Sequence, residues 1–251
     1  MSTPPFAIEL GANERLDDLQ YKGRWLIQNT REFCFSLDAV LLARFARLHR
    51  RDRLLELGTG TGVIPLLTAD EVAHIEALEL NPVMAALAGR NAELNGLADK
   101  ITVRQWDYRE LERLCPPESF DIVLSNPPYR PLGQGELSPL DGRAKARHEV
   151  TATLADTCRA ARYALRFGGH FVLVHLAERL GEIVVALHEC QMEVKRLQLV
   201  QPGSGKAPNL VLLEAAVGAA PGIKMLPPLC VREGDGSYTE AIQEIYGRLN
   251  D

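Results

Sequence analysis

Nowhere in the 251 residues is there an apolar run near the roughly 18 residues that cross a bilayer. The opening MSTPPFAIEL has neither a basic segment nor a long apolar one, so no secretory leader is read there. Cysteine is sparse: Cys34, Cys115, Cys158, Cys190 and Cys230 are odd in number, scattered and never in a C-x-x-C pair. That pattern excludes a disulfide framework and a zinc site and suits a reducing compartment. Basic residues are not in excess, 28 against 33 acidic for a net charge of −5, so affinity for polyanions would need a local patch. Internal repeats and low-complexity linkers are also missing. The expectation is a soluble, cytoplasmic protein with no metal and no membrane partner, and of unknown oligomeric state.

What is present is 46% hydrophobic residues, ample for a substantial core. From Arg53 onward short β-rich runs alternate with helical segments, the pattern of repeated βα units. Strands are expected at residues 53–57, 74–80, 100–104, 120–125, 170–176, 192–200 and 209–217. Helices fit between them, one opening on Pro82 and closing at Gly96, another over TATLADTCRAARYALRFGG. QPGSGKAP is too short for a crossover helix, so the last strand runs antiparallel. The fold class is therefore α/β, a seven-stranded, mostly parallel sheet with its last strand antiparallel. We expect one domain over residues 1–251: a hairpin about Gly23 and a helix capped by Ser36 within 1–52, a core over 53–218, and a tail over 219–251 that ends in a helix.

LLELGTGTGVIPLL puts Gly58, Gly60 and Gly62 between a buried strand and a helix, where backbone can approach a ligand that a side chain would obstruct. Glu79 ends the next strand, and a carboxylate there can accept hydrogen bonds from ribose hydroxyls. The spacing is G-x-G-x-G rather than the dinucleotide G-x-G-x-x-G, and Glu56 stands two residues before the first glycine. A carboxylate so placed repels a phosphate and suits the ammonium group of S-adenosylmethionine. Asp107, after the third strand, could accept from an adenine amino group or cap a helix.

SNPPYR follows the apolar FDIVL directly. Proline fixes its own φ, lacks an N–H and holds the preceding residue extended. Asn126 and Pro127 thus form a stiff corner that offers acceptors, the Asn126 side-chain oxygen and the carbonyls of both, and such a cluster matches an exocyclic NH₂. Tyr129 adds a ring for stacking a flat substrate, a contact of about 1–3 kcal/mol for a nucleobase. An aromatic amine is a poor nucleophile because its lone pair is delocalised. Acceptors on both N–H groups favour a tetrahedral nitrogen, and placement in line with a donor lowers a barrier by roughly 7–11 kcal/mol. No strong general base is needed.

With these residues the sequence resembles the class I S-adenosylmethionine-dependent amino-methyltransferases, most closely the bacterial tRNA(Val) adenine-N6 methyltransferase family. ERLDDLQ, FSLDAVLLARFA, LELGTGTGVIPLL, NAELNGL, SNPPY, ARHE, VHLAERL and DGSYTE carry the resemblance over nearly the whole chain. It implies a Rossmann-like methyltransferase sheet, S-adenosyl-L-methionine as cofactor and tRNA as partner, with methylation of N6 of the adenosine next to the anticodon. It implies that Glu56, Gly58, Gly60, Glu79 and Asp107 contact the cofactor, that Asn126, Pro127 and Tyr129 hold the target base, and that Phe35 and Asp38 rim the cofactor pocket, although Phe35 equally suits a core. N-P-P-Y is shared with protein glutamine N5-methyltransferases, the alternative reading, but their usual helical N-terminal domain has no counterpart in the hairpin-like start here. A non-catalytic cofactor-binding RNA factor is the alternative from another class.

A base in a stem-loop must be unstacked while the backbone is anchored. ARFARLHRRDR, with Arg50 and Arg51, is the densest basic run, and GRAKARHE supplies Arg143, Lys145, Arg147 and His148 just beyond the target-base motif. Lys206, in the last hairpin, is a third phosphate candidate. For each of these a solvated surface is the other reading. His170 and His175 read as structural residues of a buried strand.

Overall fold

The chain first turns back at Gly23, whose φ of 67° is open to glycine, between β1 (Glu14–Asp18) and the antiparallel β2 (Trp25–Asn29). The structure, a computed structural model, describes residues 8–32, 34–127, 129 and 152–247. The expectations for Arg143, Lys145, Arg147 and His148 lie outside the described residues. After the hairpin, α1 (Leu37–Phe45) leads into β3 (Arg53–Leu57), α2 (Val63–Thr68), β4 (His74–Glu79), α3 (Pro82–Leu94), β5 (Ile101–Gln105), a 3-10 helix (Tyr108–Arg113) and β6 (Phe120–Ser125). Then come α4 (Leu154–Ala164), β7 (Leu165–Leu176), α5 (Leu180–Glu189), β8 (Met192–Gln201), β9 (Leu210–Val217), β10 (Lys224–Met225), β11 (Leu229–Cys230) and α6 (Glu240–Gly247).

Across the sheet the order is β8-β9-β7-β6-β3-β4-β5, with β9 antiparallel to both neighbours and the other pairs parallel. The strand run is apolar on both faces because both are covered. Leu54, Ile122, Leu124, Val172 and Val174 face a layer with α1, α2, α3 and Ile242 of α6. Leu55, Leu57, Val123, Phe171 and Leu173 face the layer of α4 and α5. Among the described residues no helix is long and apolar enough to cross a membrane.

The structure departs from the sequence reading at several ends. All seven expected strands are present, and among the described residues β10 and β11, two residues each, add parallel to β8 to make nine. Segments this short, beside Pro221, Pro227 and Pro228, carry no period. The helix expected through Gly169 stops at Ala164. Leu165 is already extended, and a Cβ on Gly169 would stand 3.0 Å from the Asp121 carbonyl oxygen, so the glycine pair belongs to the close β6–β7 pairing. Likewise α1 ends at Phe45, whose carbonyl accepts from the Arg196 guanidinium at 3.2 and 3.3 Å.

Arg196 is held in turn by Glu214, and the two side chains are only 10% and 4% exposed. Burial raises the Glu214 carboxyl, but His170 and Arg196 outweigh it and hold it below its ordinary value. His170 itself is 46% exposed, not the buried strand residue expected. Glu214→Ala leaves a buried guanidinium uncompensated and should cost about 3–5 kcal/mol in urea denaturation, most of it recovered when Arg196→Met is added. Equal stability of the single and double variants would refute this.

Candidate active site

Parallel pairing brings the two sequence motifs together. Leu57 of β3 is in register with Ser125 of β6, and the Ser125 hydroxyl donates to the Leu57 carbonyl at 3.0 Å. Gly58 and Asn126 therefore follow paired residues on strands about 4.8 Å apart, at the carboxyl edge where ligands of such sheets gather.

The glycine turn is built from left-handed positions. Gly58 has φ 78°, with nothing within 4 Å of where a Cβ would stand, so its face opens on free space. Gly62 has φ 82°, and a Cβ there would meet Ala88 of α3 at 3.2 Å. The amides of Gly58 and Thr59 donate to the Leu78 carbonyl at 3.0 and 2.9 Å, and those of Gly60 and Asn81 donate to the Glu79 carboxylate at 2.8 and 2.9 Å. Glu79 thus shapes the turn from the end of β4.

Glu56 is buried beneath the turn, at 1% exposure, and accepts from the Thr59 hydroxyl. Burial pushes its carboxyl up to about 8, the Thr59 hydrogen bond pulling down and the Glu79 charge pushing up. The folded protein therefore binds this proton more tightly than the unfolded chain. Its stabilising contribution is complete below the ordinary 4.5 and is lost as pH rises through about 8. Thermal denaturation across that window should show wild type losing stability relative to Glu56→Gln; parallel curves would contradict it.

Asp107 caps the 3-10 helix through the Arg109 amide at 3.0 Å and pairs with the Arg109 guanidinium, whose hydrogen bond holds its carboxyl below the ordinary value. Phe35 packs on the apolar layer of α1.

The N-terminal segment reaches the N-P-P-Y corner through a chain of polar contacts that begins at the hairpin. Asn91 of α3 and Asn95, the residue that caps its end, act toward β2 as another strand would. Asn91 exchanges hydrogen bonds with the backbone of Ile27 at 2.7 and 3.0 Å, and Asn95 does so with Trp25 at 2.9 and 2.8 Å. Asn91 also donates to the Thr61 carbonyl in the glycine turn at 2.9 Å. The buried Gln28 then accepts from the Phe35 amide at 2.9 Å, just before α1. One turn on, Asp38 accepts from the Tyr129 hydroxyl and from Ser36, whose side chain makes no helix cap.

The Tyr129 hydroxyl also lies 3.0 Å from Asn126 Oδ1, as a second acceptor. Burial, then the charge and hydrogen bond of Asp38, raise the phenol far above its ordinary pKa, so it stays protonated. Two further residues touch this tyrosine: His175, read from the sequence as structural, and Arg179, which the sequence reading did not single out. The His175 ring lies 5.3 Å from its ring, and Arg179 donates to its carbonyl at 3.3 Å. Burial, with Arg179 adding to it, lowers His175 to about 4, so the imidazole is neutral at pH 7. The signal was available in VHLAERL: β7 runs three residues past Leu173, the partner of Ser125, which carries His175 beyond the end of β6.

The basic candidates divide. Lys206 is exposed in the β8–β9 loop at the carboxyl edge, beside Arg232, whose carbonyl accepts from the Ser204 amide at 3.3 Å. Arg50 and Arg51 are exposed just before β3, at the opposite edge, so the structure does not bring them to Asn126.

The family model described as methyltransferase small domain matches residues 37–194. A tRNA1(Val) (adenine(37)-N6)-methyltransferase of Shewanella amazonensis is 33% identical over 208 residues, 82% of this chain and 87% of that protein. One of the same name from Bacteroides thetaiotaomicron is 27% identical, covering 84% of this chain and 90% of its own length. Among solved structures, a predicted O-methyltransferase of Agrobacterium tumefaciens aligns with TM-score 0.68 at 23% identity over 84% of this chain and 96% of that one. A tRNA m1G37 methyltransferase of M. jannaschii aligns at 0.59 and 14% identity over 85% and 59%. At these identities the solved structures establish the shared fold alone.

Proposed function

The chain belongs to the methyltransferase small domain family and, within it, groups with the tRNA1(Val) (adenine(37)-N6)-methyltransferases, and from that membership we propose that it methylates N6 of the adenosine next to the anticodon of a valine tRNA. The observation that carries the reading is the Leu57–Ser125 pairing, which sets a glycine turn and an amine-accepting corner side by side.

The residues at the turn fit S-adenosylmethionine, which supplies an electrophilic methyl on a sulfonium. Glu56 is a buried acid whose raised pKa owes nothing to any Lys or Arg, and a cationic amine would give it the counter-charge it lacks. The open face of Gly58 and the carboxylate of Glu79 suit a nucleoside portion. At the corner, the carbonyls of Asn126 and Pro127 and the Asn126 side chain accept from the target N–H groups, which concentrates the nitrogen lone pair. Tyr129, backed by His175, provides the stacking surface, and its protonated phenol rules it out as a base. Since burial and Arg179 lower His175 to about 4 and so make it a weak base, and no strong base faces the corner among the described residues, the released proton passes to solvent after transfer.

The test is incubation with methyl-labelled cofactor and total tRNA, followed by digestion to nucleosides. Label in N6-methyladenosine of valine tRNA is the expected result. Label in another nucleoside, or in protein, overturns the reading.

A further inference from the structure

The sheet edge farthest from the proposed chemistry carries a concentration of one charge that methyl transfer does not use. Among the described residues, Arg47, Arg50, Arg51, Lys195 and Lys224 make no ion pair. They come from the end of α1, the turn into β3, the start of β8 and β10, which sheet order and parallel pairing gather at the amino edge. Arg47, Lys195 and Lys224 line a cleft of about 450 Å³ with Phe167. Phe167 is 71% exposed and its ring lies over Gly218, where a Cβ would meet it at 2.2 Å. The acids nearby are already engaged: Asp121 with Arg166 and the Arg53 amide, Glu214 with Arg196.

Lys195 is half-buried and donates to the Ala220 carbonyl at 2.7 Å, while the other four cations are exposed. Cations without ion pairs around a projecting aromatic ring are the chemistry that holds a nucleic-acid backbone. A second copy of this chain is a poor occupant, because a self-paired patch would set like charge against like. Phe167 sits in the irregular stretch of β7 between Leu165 and His170, which pair with Phe120 and Ile122, five and three residues before Ser125, hence about 10–17 Å along the sheet from the N-P-P-Y corner at ~3.3 Å per residue. Loop and stem of one RNA can span that distance.

We propose that the amino edge is a second RNA-contact surface, which grips the backbone of the tRNA's helical part while the carboxyl edge holds the target loop. This rests on the tRNA reading above and assigns Arg50 and Arg51 a role away from the catalytic corner.

The test compares wild type with Arg47→Gln/Lys195→Gln/Lys224→Gln and, separately, with Phe167→Ala, on an unmodified valine tRNA transcript and on a short stem-loop carrying its anticodon. For the full transcript we expect KM to rise about tenfold or more in the triple variant, with the slope of log affinity against log salt falling by about one per cation removed. The stem-loop KM should rise by much less, since its short duplex offers the patch fewer phosphates than the full helical part. Phe167→Ala should weaken the full transcript selectively without changing the salt slope. An unchanged salt slope in the triple variant overturns the proposal, and so does equal loss on both RNAs. Filter binding reads the slope without turnover, so it tests this surface even if neither RNA is methylated, an outcome that would count against the methyltransferase reading instead.

Discussion

Asn126→Ala should lower kcat by about 10²- to 10³-fold, the scale seen when one preorganised polar group is removed from an active site, while cofactor affinity stays within about twofold. The separation follows from the sheet. The groups that suit the cofactor stand on β3, β4 and their turn, and the groups that suit the amine stand after β6; Ser125 to Leu57 is the hydrogen bond between the two sets. Removing the Asn126 side chain leaves that bond, Glu56, Gly58 and Glu79 in place. It deletes an acceptor whose interaction with the amine strengthens as the nitrogen becomes tetrahedral, so the loss falls on the transition state rather than on binding. Isothermal titration with the cofactor and single-turnover methylation measure the two halves. Equal collapse of both would show that the corner and the turn are not separable.

Both of these motifs were legible because each is local: the left-handed glycines and the paired prolines state their own backbone requirements within a few residues. The strands were legible for a related reason, since a parallel sheet covered on two faces demands unbroken apolar runs. The end of α4 was not, because LRFGG has helical composition and only the approach of Asp121 across β6–β7 makes Gly169 a strand residue. Position along the strands also sorts the cations: Arg50 and Arg51 precede β3 and so must lie at the amino edge, while Lys206 follows β8, parallel to β7, and so must lie at the carboxyl edge. Contacts between distant residues were invisible. Asn91 and Asn95 read as ordinary polar helix positions until β2 lies against them. So was the contact between Asp38 and Tyr129, 91 residues apart, which gives Asp38, expected at the cofactor rim, a bond to the tyrosine proposed to stack the target base.

That contact predicts a sign reversal. A phenol has one proton, and Asp38, a carboxylate, is a stronger acceptor than an amide oxygen. With the proton on Asp38, the Tyr129 oxygen can only accept from Asn126. As placed, Asn126 Oδ1 is the atom 3.0 Å from the phenol oxygen, and with the phenol proton directed at Asp38 those two oxygens have no hydrogen between them. The two ends of an amide have the same outline, so turning the amide over removes the conflict, with NH₂ toward Tyr129 and Oδ1 toward the target amine. In Asp38→Ala the phenol proton is released to Asn126 Oδ1 and occupies the acceptor the amine requires, which should cost kcat about 10- to 100-fold, the worth of a charge-assisted hydrogen bond. Adding Tyr129→Phe removes that proton but keeps the stacking ring, so Asp38→Ala/Tyr129→Phe should be faster than Asp38→Ala alone. Asp38→Asn, which can still accept through its own oxygen, should retain most of the activity. Single-turnover rates for wild type, both single variants and the double variant close the cycle. Additive losses would mean Asp38 acts independently of Tyr129, and a loss confined to cofactor affinity would return Asp38 to the rim of the cofactor pocket.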